Sequence, residues 1–175
     1  MILRKINAVL SLITTFLLLD HAIFNAVWML SQGTIPKTTA LSWVLIGFMA
    51  VHAIISIELG MSAHKGAEPT DAKTYPQKNA IIIVQRITGM LLIIFTALHV
   101  MGATGAIQTP AFIHAFVPAL FFVVCMAHTA ISTSKAFVTL GVGNAKVVKV
   151  IDIAVKVVCA ATLVADIVGF YLYLV

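Results

Sequence analysis

Apolar residues run in five long stretches along this chain, at roughly 5–31, 40–63, 80–105, 110–138 and 147–174. A helix that crosses the hydrocarbon core of a bilayer needs ~20 mainly apolar residues, and every stretch is long enough. The pattern predicts an all-α fold, an integral membrane bundle of five transmembrane helices. The polar segments between them are short, so residues 1–175 read as one transmembrane domain with no extramembrane domain attached. The first stretch is longer than a signal-peptide core and no convincing small-residue cleavage site accompanies it, so it is expected to be a span.

Polar residues punctuate the stretches. Asp20 and His21 fall in the outer half of the first, and Trp28 sits at its outer boundary, where interfacial aromatics gather. The segment 64–79, HKGAEPTDAKTYPQKN, is the longest polar run and carries Pro69 and Pro76, which are expected to stop helices. Pro110 leads into the fourth stretch, and Leu140 to Asn144 reads as a helix end and turn. Asp152 and Lys156 stand at i,i+4 near the inner end of the fifth, with Asp166 deeper.

Composition agrees with a lipid solvent: the chain is 61% hydrophobic and 10% charged, with a mean hydropathy of +1.09. A net charge of +5 would suggest nucleic acid, but its placement argues against that. Arg4 and Lys5 precede the first stretch, Lys65, Lys73, Lys78 and Arg86 surround the second link, and Lys135, Lys146 and Lys149 surround the fourth. Only Lys37 falls on the other side. Basic residues mark the cytoplasmic side, so the N-terminus is expected inside, the C-terminus outside, and the location the cell inner membrane. Cys125 and Cys159 form no CxxC or CxxCH, which argues against a disulfide framework, a zinc site and covalent haem attachment. In apolar surroundings they are expected to be packing residues.

The chemistry lies in the histidines. His21, His52, His99 and His128 occur one to a stretch in the first four, where little else is polar. An interhelical hydrogen bond in a membrane is worth only about 1 kcal/mol, whereas an unsatisfied buried polar group costs several. Four such residues are more than packing asks for. Neutral imidazole is an axial ligand for haem iron, and helix bundles supply such ligands from facing helices. Two haems held by two histidines each would use all four, and without CxxCH they would be b-type.

Depth suggests the pairing. At ~1.5 Å per residue, His21 lies about 24 Å beyond Lys5 and His99 about 20 Å beyond Arg86, both in the outer half. His52 falls near mid-membrane and His128 about 10 Å from Lys135, in the inner half. His21 with His99 and His52 with His128 gives an outer and an inner site. Tilt moves each depth by several ångströms, so His21 with His52 is also allowed. His64, beside Lys65, and His114, a turn inside the outer boundary, read as interface residues or hydrogen-bond donors to haem or quinone. His114 shares a helical face with His128 and is the main rival for the outer site.

The third stretch opens Gln85-Arg86-Ile87-Thr88-Gly89 and reaches His99 14 residues after the glutamine. Arg86 keeps its charge and can meet a propionate or a quinone oxygen with several donors. Thr88 adds a hydroxyl, and Gly89 lets a flat ring or a neighbouring helix approach. The plainer reading makes Arg86 a boundary anchor and Gly89 a packing notch. With Asp20-His21-Ala-Ile-Phe-Asn25, His52-Ala53, and His128 followed by Gly141, these residues resemble the cytochrome b membrane anchor of succinate dehydrogenase and fumarate reductase. The likeness is to its five-helix, two-haem, single-anchor form.

That resemblance implies two haems b, with His21 and His99 on the distal one and His52 and His128 on the proximal one. It implies a quinone site, with menaquinone expected ahead of ubiquinone, and flavoprotein and iron–sulfur partner subunits on the cytoplasmic face. Gln85, Arg86, Thr88, Gly89 and His64 would serve the cofactors, and Asp20, Glu58, His114 and Asp166 are candidates for quinone or proton handling. The complex itself could assemble further. The chain departs from the family in being short, and in having no acid between Gln32 and Trp43. Two rivals stand beside it: the cytochrome b anchor of another quinone-linked oxidoreductase, and a non-haem proton or solute transporter.

Overall fold

The computed structural model describes residues 2–35, 40–65, 76–107 and 111–174, with side chains described except at 63–65, 76–79, 111–116 and 174. The described residues form five helices: α1 (Ile2–Leu30), α2 (Ala40–Lys65), α3 (Pro76–Ala103), α4 (Ala111–Leu140) and α5 (Ala145–Leu174). No strand occurs among them. The helices follow the five apolar stretches to within a few residues. The largest difference is at the start of α3, which Pro76 opens rather than precedes. Proline suits that position because the first helical N–H has no intrahelical partner to lose.

Four of the helices contain segments long and apolar enough to cross a bilayer: Ile2–Leu30, Ala40–Ser62, Ala80–Ala103 and Val117–Leu140. These mark a membrane protein. Large apolar side chains cover the outside, among them Phe16, Ile54, Met90 and Val150, each more than two-thirds exposed. Such a surface would aggregate in water and matches hydrocarbon. The fifth helix, α5, carries Lys146, Lys149, Asp152 and Lys156 in its first half, where Lys156 and Asp152 form the expected ion pair.

Backbone groups at the helix ends are satisfied locally. Gly141 (φ 108°) closes α4, and Val142 N–H reaches back to the Phe137 carbonyl at 3.1 Å. Only glycine takes that backbone shape without strain. Asn144 then caps α5, its Oδ1 accepting from the N–H groups of Lys146 at 3.0 Å and Val147 at 3.3 Å. At the far end of α1, Gln32 takes a left-handed turn (φ 54°) and its side-chain amide donates to the Leu172 carbonyl at 3.1 Å. Trp28 stacks beside Tyr173 with ring centres 4.8 Å apart. The C-terminal ends of α1 and α5 are thereby tied together.

Helices α1 and α4 form the centre. The first packs on α2, α4 and α5, and α4 packs on α1, α3 and α5. Ala22, Leu92, Phe121, Val124, Cys125, Met126 and Cys159 make the buried core. Both cysteines are buried and free, in packing positions. Small residues let α5 approach α1: a Cβ added at Gly169 would stand 3.3 Å from the Ala26 carbonyl oxygen and from Met29 Cβ. On the opposite side of the centre, α2 and α3 are not a packed pair among the described residues.

The close α1–α5 seam is directly testable. Gly169→Val should destabilise the protein in detergent by about 1–3 kcal/mol through overpacking. Gly47→Ala, in open space, should leave the thermal midpoint unchanged. Equal midpoints for Gly169→Val and the wild type would show that this approach is not tight.

Candidate functional site

Because α2 and α3 flank the α1–α4 centre without closing on one another, a cavity of about 830 Å³ lies among these four helices. Pockets for small molecules and cofactors span roughly 300–1,000 Å³, so this one is large. Its lining comes from residues 4–18 of α1, 49–61 of α2, 82–96 of α3 and 128–139 of α4. It therefore occupies the half of the bundle that holds the start of α1. The fifth helix, α5, contributes nothing to the lining and braces α1 and α4 from behind.

His52 and His128 both line this cavity, from α2 and α4. Arg4, Arg86 and Lys135 line it too, and no Asp or Glu does among the described residues. Its electrostatic character is cationic and suits an anionic occupant. Side-chain atoms of Thr14, His52, Thr96, Ser132 and Asp166 are buried without a hydrogen-bond partner, and all these residues but Asp166 line the cavity. Buried polar groups are normally paired, and each exception asks for an explanation. Here the exceptions gather around one space.

His128 is held firmly. Its Nδ1 lies 2.9 Å from Thr88 Oγ1, and its Cε1 would stand 3.2 Å from a Cβ added at Gly89. The ring that lies against Gly89 is that of His128. Gln85 also lines the cavity, its Oε1 accepting a hydrogen bond from Lys135 Nζ that joins α3 to α4. Arg86 is exposed at the cavity wall. His52 Nδ1 is one of the unpartnered atoms, and the backbone of Asn7 lies beside the ring.

The other two histidines meet each other. His21 and His99 have ring centres 6.5 Å apart with planes at 85°. Two imidazoles bound to one metal ion by bonds of about 2 Å would have centres roughly 6 Å apart, so the separation is suitable. Both nitrogens of His21 already have partners: Nε2 lies 2.9 Å from Asn25 Nδ2, and Nδ1 lies 3.1 Å from Ser42 Oγ. His99 packs against Phe121 at 5.2 Å. Neither His21 nor His99 lines the large cavity.

The acidic candidates are scattered. Asp20 is half-buried, and no hydrogen bond involves it among the described residues. Glu58 is exposed and accepts a hydrogen bond from Ser62 at 3.2 Å, outside the cavity lining. Asp166 is fully buried on α5, away from that lining. The side chains of His64 and His114 lie outside the described residues. No cluster of three or more His, Cys, Asp or Glu forms a metal-binding group among the described residues.

Sequence reading singled out neither the pairing of Asn7 with Ser56 nor the inward placement of Arg4 and Lys135. Asn7 Nδ2 donates to Ser56 Oγ at 3.2 Å and Ser56 returns the bond to Asn7 Oδ1, joining α1 to α2 at the cavity. A polar pair one turn inside two apolar helices was the signal available. No protein-family model matches this chain, and neither a curated protein nor a solved structure matches it.

The Asn7–Ser56 link should be measurable by a double-mutant cycle with Asn7→Leu and Ser56→Ala in detergent unfolding. A coupling of about 0.6 kcal/mol, and no more than about 1.7, is expected for such a pair in a membrane. Strict additivity of the two substitutions would deny the contact.

Proposed function

We propose that this chain is the haem-carrying anchor of a succinate:quinone oxidoreductase-type complex in the cell inner membrane. One observation carries the reading: two histidines from different helices line one cationic cavity in which four residues have buried polar atoms without partners. His52 and His128 would hold one b haem. His21 and His99, facing each other 6.5 Å apart, would hold the second. Arg4, Arg86 and Lys135 offer charge opposite to that of the propionates. The haem, when bound, supplies a one-electron iron couple that imidazole ligation and burial tune.

The chain's own part is to orient the rings, exclude water and dock partners. Its two cysteines are buried in the helix core, so iron–sulfur and flavin chemistry belongs to separate subunits on the cytoplasmic face. In this reading α5 is a fifth span, the N-terminus lies inside and the C-terminus outside. Quinone, menaquinone ahead of ubiquinone, would meet the Gln85–Arg86 end of α3. Proton handling falls to Asp20, Glu58, His114 or Asp166.

A second reading has support in the same cavity, since a cationic, polar-lined space in a helix bundle also suits movement of a small anion or proton. Reduced-minus-oxidised spectra of the purified protein separate the two. Two b-type components are expected. His52→Ala and His128→Ala should each remove one and the same component, while His21→Ala and His99→Ala remove the other. A protein without b-type bands, or with bands unchanged in all four variants, would defeat the proposal and favour transport.

A further inference from the structure

We infer that Thr88 is a positioning residue: it fixes His128 as the Nδ1–H tautomer and so leaves Nε2 bare for a ligand in the cavity. The inference rests on the proposed role of His128 as an iron ligand and explains how its ring is prepared for it.

A neutral imidazole carries one ring proton, and only the nitrogen without it can bind a metal. Which nitrogen that is depends on the hydrogen bond made by the other. Thr88 Oγ1 makes three contacts: the Val84 carbonyl at 2.8 Å, the Gln85 carbonyl at 3.1 Å and His128 Nδ1 at 2.9 Å. A hydroxyl has one hydrogen to give. Both carbonyls can only accept, and the shortest of the three contacts is to the Val84 carbonyl, the usual back-bond of a mid-helix threonine, so the hydrogen is assigned there. Toward His128 the oxygen therefore presents a lone pair, and Nδ1 must bring the hydrogen.

Gly89 completes the arrangement. The Cε1 edge of His128 rests where a Cβ at Gly89 would be only 3.2 Å away. The residue after Thr88 thus sets how closely the ring can lie on α3. One turn of α3 fixes both the tautomer and the orientation of a ligand supplied by α4. Such hydrogen-bond partners tune the basicity of a metal-bound imidazole as well as its direction.

The test uses the full chain in detergent, nitrogen-15-labelled at histidine, from cells making haem and from cells blocked in haem synthesis. His128 is assigned as the signal lost in His128→Gln. Without haem, nitrogen NMR should place the His128 proton on Nδ1. Thr88→Val should abolish that preference and Thr88→Ser should keep it. With haem, Thr88→Val should weaken retention of one haem by roughly 10–100-fold, with Thr88→Ser close to wild type. A wild-type proton on Nε2, or an unchanged tautomer in Thr88→Val, overturns the inference. If Thr88→Val does not fold, the wild-type tautomer alone decides it. An Nδ1–H preference in a protein that never takes up haem would support the tautomer assignment and remove the haem reading alone.

Discussion

The controlling constraint is the absence of water at membrane depth. Among lipid-facing helices a polar atom must be answered by the protein or by something the protein binds, because hydrocarbon offers no hydrogen bond. Much of this bundle obeys that rule with short local solutions. Helix ends close on their own carbonyls, Asn144 caps α5, Gln32 reaches the Leu172 carbonyl, and Asn7 and Ser56 exchange hydrogen bonds. The rule fails at Asp166 on α5 and, in a group, around the cavity, where Thr14, His52, Thr96 and Ser132 each present a buried atom without a partner. Leaving even one such group unpaired costs about 1–3 kcal/mol. Their concentration on one wall system is the strongest structural reason to regard that space as a binding site.

Helix packing explains where the space lies. Small residues bring α1, α4 and α5 together, with Ala22, Ala26 and Gly169 at the seam. That three-helix wedge is braced on one side and leaves α2 and α3 to splay on the other. A cavity between them inherits whatever polar groups the four helices carry at that depth. Cations come from near one end of the bundle, where lysine and arginine can extend to the surface. Histidines come from deeper. The result is a graded interior, cationic at one end and imidazole-lined further in, without any dedicated loop.

Much of this was legible in the sequence. Apolar run length alone locates the helices, because the bilayer sets the required length whatever the packing. Depth arithmetic from the basic boundaries anticipates that His21 meets His99, as the ring geometry shows. Rotation about each helix axis was not legible. A helix that is apolar nearly all round has no face to read, so Glu58 could not be recognised as exposed or Asp166 as fully buried. The segment from Gln85 to Gly89 was expected to serve cofactors, with a packing notch at Gly89 as the plainer reading. Its division of labour is a tertiary fact: Gln85 engages Lys135, while Thr88 and Gly89 engage His128.

The two histidine pairs are prepared differently, and the difference follows from their neighbours. Around His128 a hydroxyl and a glycine from α3 hold the ring, and both it and His52 border open space. Around His21 a hydroxyl again sits at Nδ1, from Ser42, but Asn25 also covers Nε2 from one turn along the same helix. Any ligand reaching that nitrogen must first displace the amide, at a cost of about 0.6–1 kcal/mol for a typical membrane hydrogen bond. A metal–imidazole bond is stronger than that by a wide margin, so the contact would not forbid one. Asn25 thereby keeps His21 satisfied in lipid. In the cavity-lining pair no side-chain amide plays that part, and His52 Nδ1 is left among the unpartnered atoms, so the polar cost in lipid falls on this pair rather than on His21.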